Sequence, residues 1–179
     1  MLNTKVIKLT IHVVLLLSIL GCNSESEDMG LSILTKKPEK KSYVIFSPLE
    51  GVLTKGGKPM ADTKIMRELR WNTNDDGIKE YFQTDANGYF KLPLHEETFD
   101  MSALTQFVAN QYVSIESDSG TDYLWVCGKL STGLFSELGY EPESVVCDVE
   151  NELLRVEVER GQLGTKCRWN GIKLEKDNE

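Results

Sequence analysis

Gly51-Val52-Leu53-Thr54-Lys55-Gly56-Gly57-Lys58-Pro59 opens a stretch that decides the fold class. The stretch runs on through Lys64-Ile65-Met66-Arg67-Glu68-Leu69-Arg70-Trp71 and Thr84-Asp85-Ala86-Asn87-Gly88-Tyr89-Phe90 to Leu94. It reads as short strands cut by turns. Ile65, Leu69 and Trp71 fall on one face of an alternating pattern, with Arg67 as the single charged break. Phe90, Leu92 and Leu94 share a face in the same way. Turn chemistry separates the runs: Gly56-Gly57 before Pro59, Asn72 to Gly77, and Asp85-Ala86-Asn87-Gly88. Asn87-Gly88 is the signature of a tight hairpin turn.

The pattern extends in both directions. Tyr43 to Phe46 is β-prone, and further strands are expected at 112–116, 123–127, 145–149, 153–159 and 166–169. Strands at this spacing indicate an all-β chain folded as a prealbumin-like or Ig-like sandwich. One or two short helices are expected within it. Phe99, Met101, Leu104, Phe107 and Val108 have helical spacing inside 98–109, and Leu134 to Tyr140 suits a single helical turn before Pro142.

The run 51–65, closed by Thr84 to Phe90, resembles the carboxypeptidase-regulatory-like domain. That resemblance implies a prealbumin-like sandwich with an accessory, binding or structural role, and it predicts fold rather than activity. It covers Gly51 to Leu94. The half of the chain that follows departs from the family module, and there the chain is similar to small bacterial envelope lipoproteins.

The N-terminus carries a second resemblance. Lys5 and Lys8 precede an apolar run from Ile11 to Leu20, and Gly21 stands before Cys22, the order of a secretory signal. Ile19-Leu20-Gly21-Cys22 looks like a lipoprotein lipobox. The resemblance implies cleavage before Cys22, diacylation of its thiol and N-acylation of the new terminus. Asn23, where an inner-membrane retention signal has Asp, points to the outer membrane with the domain facing the periplasm or the cell surface. An uncleaved anchor is the competing reading. A spanning helix needs about 20 apolar residues, and only 16 uncharged residues separate Lys8 from Glu25. The expected organisation is a signal at 1–21, a flexible tether at 22–42 rich in Ser, Glu and Lys, and one sandwich domain at 43–175.

The 179 residues hold 20 basic and 28 acidic side chains. An acidic chain does not track phosphate backbones, so nucleic acid is not an expected partner. The expected partners are the membrane, through lipid on Cys22, and a protein or envelope polymer. With Cys22 assigned to lipid, Cys127, Cys147 and Cys167 remain, and export favours one disulfide among three pairings. Cys147–Cys167 is expected, because the strand at 153–159 and the return through Gly161 and Gly164 form a hairpin that brings the two together. Cys127 is expected to be a small buried residue.

Catalytic constellations are thin. His95 is the one histidine beyond the signal, and it reads as a surface-loop residue past a strand end; no glycine-framed serine adjoins it. A thiol dyad with Cys127 is disfavoured, because an apolar setting raises a thiol's pKa. Asp85 to Gly88 and Asn74 to Gly77 read as turns rather than calcium loops. Glu157 and Glu159 alternate with Val156 and Val158 as the wet face of a strand does, rather than as a glycosidase pair. Trp71, Trp125 and Trp169 read as core before they read as a sugar or peptide site. No catalytic residue, metal or cofactor is therefore expected. The function these features favour is a non-catalytic, envelope-anchored binding module, in a narrower form an immunity protein against a periplasm-delivered toxin. The alternatives are an envelope hydrolase, a calcium-dependent carbohydrate binder and a passive structural subunit.

Overall fold

In the computed structural model, which describes residues 40–117 and 120–175, alternating apolar positions become the inner faces of two packed sheets. The strands are β1 (Lys40–Phe46), β2 (Leu49–Lys55), β3 (Lys58–Pro59), β4 (Lys64–Trp71), β5 (Asn74–Gln83), β6 (Tyr89–Leu92), β7 (His95–Asp100), β8 (Ala109–Ser117), β9 (Gly120–Lys129), β10 (Val145–Asp148), β11 (Leu154–Val156), β12 (Gln162–Thr165) and β13 (Cys167–Arg168). One sheet has the order β11-β12-β9-β8-β4-β5. A second runs β13-β10-β2-β3, with β6 also paired to β2, and β1 pairs with β7 as a short third sheet. The chain is all-β, a sandwich.

The core shows why these segments are strands. Ile65 and Leu69 of β4, Val113 of β8 and Leu124 and Trp125 of β9 share one buried cluster with Leu53, Phe90, Leu92 and Val145 from the second sheet. Arg67 lies on the same inward face of β4 and is fully buried. Its guanidinium sits between the rings of Phe46 and Phe82, at 4.6 and 5.1 Å, and donates to Glu80 and to the Pro93 carbonyl. The charged break is thus a paired cation inside the core. Burial lowers its pKa, and Glu80 opposes that shift.

Two glycines of the opening stretch have steric reasons to be glycine. β2 runs parallel to β10, and a Cβ on Gly51 would stand 2.5 Å from the Val145 carbonyl oxygen. Gly88 has φ 76° and a Cβ there would meet the Leu53 carbonyl oxygen at 2.6 Å.

Several expectations need correction. No helix occupies 98–109: β7 ends at Asp100, a turn follows, and Phe99 and Phe107 both stack on Tyr43, at 4.4 and 5.7 Å. The spacing that imitates a helix comes from a strand and a loop that wrap one aromatic ring. Leu134 to Tyr140 closes one i→i+4 turn, with the Gly139 N–H donating to the Phe135 carbonyl, and does not continue into a helix. Asp85 to Gly88 is a tight turn but not a hairpin, since β5 belongs to the first sheet and β6 to the second. Leu94 lies beyond β6 and is exposed. Lys40 to Ser42, read as tether, are the first residues of β1. Cys22, the signal and residues 23–39 of the tether lie outside the described residues.

Cys147 and Cys167 are bonded and face each other in the antiparallel β10–β13 pair. The route between them differs from the expected hairpin. After β10 the chain crosses to the other sheet, forms the β11–β12 hairpin there and returns as β13.

Candidate functional site

The expected chemistry-bearing side chains are mostly committed to structure. His95 is not in a surface loop. It opens β7 with 16 % side-chain exposure, its Nε2 3.1 Å from Glu97 Oε1 and its ring tilted beside Trp71 at 5.7 Å. Its Nδ1 is 3.8 Å from Glu80 Oε2, the carboxylate that also pairs with Arg67. Cys127 is buried in β9, and burial followed by the Glu137 charge pushes its thiol well above the usual range, with Lys129 opposing. Glu157 and Glu159 are exposed beyond the end of β11. Asp85 Oδ1 accepts from the Asn87 and Tyr89 N–H groups, and Asn74 Oδ1 accepts from the Gly77 N–H. Among the described residues, no group of three or more His, Cys, Asp or Glu side chains is placed to hold a metal ion.

All three tryptophans are buried. Trp125 and Trp169 meet at 6.2 Å, Trp169 donates to the Tyr140 hydroxyl, and Trp125 donates to Gln111 Oε1. That last bond belongs to a buried polar network that sequence reasoning missed. Glu137, from the loop after β9, accepts from the Ser47 N–H, the Ser47 hydroxyl, Gln111 Nε2 and Lys129 Nζ, at 2.7–3.0 Å. Lys129 is fully buried and also donates to the Gly133 carbonyl. Burial lowers its pKa against the stabilising charge of Glu137. A signal was present: with a period of two, Gln111 falls in line with Ala109 and Val113, and Lys129 with Trp125 and Cys127. The adjoining recess between Phe46 and Leu138 measures about 20 Å³, room for about one water, so the network fastens a loop rather than receiving a ligand.

The open concavity lies elsewhere, on the outer face of the six-stranded sheet. Its volume is about 510 Å³, within the range of ligand clefts. Asn110 and Tyr112 of β8 form one wall and Leu153 and Arg155 the other. Gly128 of β9 and Gly164 of β12 lie between them. Tyr123 stands beside Tyr112, ring centroids 6.2 Å apart, and is 42 % exposed. Through Asn110 the groove continues into a second hollow of about 380 Å³, bounded by Arg70, Trp71 and Asp75.

Residues 49–152 match the family model described as Domain of unknown function (DUF6795). The chain belongs to the DUF6795 family. No curated protein and no solved structure matches it. The DUF6795 match runs from β2 through β10. It therefore includes Asn110, Tyr112 and Gly128, whereas Arg155, Gln162 and Gly164 come from the strands that follow it. The disulfide joins Cys147 inside the match to Cys167 beyond it, tying those later strands to the family domain.

Proposed function

We propose that this DUF6795 chain is an envelope lipoprotein, anchored by lipid on Cys22, that works as a non-catalytic binding module through the outer face of its six-stranded sheet. The observation that carries the reading is the contrast between the two polar sets. Ser47, Gln111, Lys129 and Glu137 satisfy one another in the interior. Among the described residues, the side chains of Asn110, Arg155 and Gln162 have no hydrogen-bond or ion-pair partner, and all three line the open groove. Polar groups around a cleft that the fold leaves to solvent are free to exchange water for a ligand. The lipobox resemblance supports the anchor, and several acyl chains bury enough methylene, at about 0.8 kcal/mol each, to hold the domain firmly. An immunity role and the accessory role implied by the carboxypeptidase-regulatory-like resemblance are both forms of this reading.

Fractionation tests the anchor. Cys22→Ser is expected to leave the membrane fraction or to accumulate with its signal uncleaved. A variant that stays in the membrane and is processed normally contradicts the lipoprotein reading.

A further inference from the structure

Gly128 and Gly164 occupy interior positions of neighbouring strands, where a glycine costs roughly 0.5–1 kcal/mol because it forgoes side-chain packing and enlarges unfolded-state freedom. Nothing in the backbone requires them. Neither has a positive φ. A Cβ on Gly128 would find only Asn110 Oδ1, at 3.9 Å, and one on Gly164 would meet Leu153 in ordinary contact at 3.6 Å. Gly161 nearby is different: its φ is 89°, and a Cβ would stand 2.1 Å from the Gly128 carbonyl oxygen. Two glycines that the fold does not need, diagonal to each other on neighbouring strands, with Gly128 opposite Gln162 and Gly164 opposite Val126 at the bottom of a groove, mark a place where something approaches the backbone closely.

The lining identifies the chemistry of that approach. Asn110 and Gln162 each offer a carbonyl acceptor and an amide donor, which suits hydroxyl groups that both give and receive. Tyr112 supplies a ring face, with Tyr123 beside it. One cation, Arg155, and one carboxylate, Glu175, leave the lining nearly neutral in a chain of net charge −8. Anionic backbones are therefore disfavoured. A peptide strand would seek main-chain partners at a free sheet edge; this groove lies on the outer face, and the edge of β11 beside it is already bonded to Lys173 and Glu175. From its β8 wall to its β11 wall the groove spans three strand spacings, about 14 Å, wider than one sugar ring.

We infer that the groove of Asn110, Tyr112, Gly128, Arg155, Gln162 and Gly164 binds an uncharged carbohydrate chain, its sugar rings lying over the two glycines and its hydroxyls bonded to the amides. The inference rests on the binding-module reading and names the ligand class for it. Uncharged envelope glycan has two sources, the amide-capped glycan backbone of peptidoglycan and the neutral repeat of a surface polysaccharide.

The test uses the full chain extracted from membranes in detergent. It is co-sedimented with peptidoglycan sacculi, passed over immobilised delipidated lipopolysaccharide, and applied to an array of neutral oligosaccharides. The wild-type chain should be retained by at least one, and which one identifies the source. Gly128→Val fills the groove with a strand-favouring side chain. It should retain or raise the melting temperature while weakening retention by about tenfold or more. Tyr112→Ala should weaken retention as well, and Glu50→Gln on the other sheet should leave it unchanged. Failure of every glycan to retain the wild-type chain, or undiminished retention of Gly128→Val, overturns the inference. If glycans fail while cross-linkers placed in the groove still trap a protein that Gly128→Val releases, the binding-module reading survives and the carbohydrate does not. If both fail, both fall.

Discussion

Asp148 shows how much one carboxylate does at the end of β10. Its Oδ1 accepts from the Gly56 and Glu150 N–H groups, and its Oδ2 from the Gly57 N–H and the Thr54 hydroxyl. Burial raises its pKa, but the bonds from Gly57, Glu150, Thr54 and Gly56 outweigh it and hold the value at about 2, against an ordinary 3.8. The folded value lies below the unfolded one. Asp148 therefore stabilises the fold fully above pH 3.8, and this contribution is lost as the pH falls towards about 2. Acid titration of stability should show Asp148→Asn with a shallower loss over that interval than the wild type; parallel curves would contradict the role. Glu137 is the second residue on which much depends. Glu137→Ala strands a fully buried Lys129 and should cost about 3–5 kcal/mol in urea unfolding. Removing both charges while keeping an acceptor for Ser47 and Gln111, Lys129→Met with Glu137→Gln, should recover much of that loss. Equal losses in the single and double variants would place the effect in packing instead. Of these two residues the sequence shows only part. Lys129 betrays itself as a charge at an inward strand position, but nothing in Glu137's own surroundings shows that it turns inward from a loop.

At the scale of elements, period-two alternation sufficed for β4 and β6, which have one wet face and one core face, and it holds for β8 and β9 except at the register shift where Val113 to Ile115 and Leu124-Trp125 are buried in succession. It failed where apolar residues from different elements converge on one side chain, as Phe99 and Phe107 do on Tyr43. Hydrophobic spacing cannot distinguish a helix face from a strand and a loop that share a target. The cysteine pairing was readable, but the path between the cysteines was not, since strand runs and turns do not say which sheet a hairpin joins. The bond closes a span of 20 residues that visits both sheets. Its removal should cost about 2–5 kcal/mol. Cys147→Ser and Cys167→Ser should lower the melting temperature by similar amounts, and the effect of Cys127→Ser should be smaller. The native protein should also show one thiol, Cys127, that alkylates only on unfolding, because it is buried and its pKa is raised. Rapid alkylation of the folded chain would contradict that placement.

On the scale of the whole molecule, the parallel β2–β10 pair joins the opening stretch to a segment near residue 145. No turn signal announces such a pairing, because parallel neighbours need a long crossover. The groove was hidden for the same reason: its walls come from strands before and after the DUF6795 boundary and meet only through the register of β8, β9 and β12. The binding-module proposal places the molecule's work on this outer face rather than on the opposite sheet. The direct measurement is photo-cross-linking in intact cells, with a diazirine side chain placed at Gln162 in the groove or at Glu50 on β2, each in the full-length chain. A discrete adduct is expected from position 162 that Gly128→Val abolishes, and none from position 50. A discrete adduct from position 50 with nothing from position 162 would contradict the proposal.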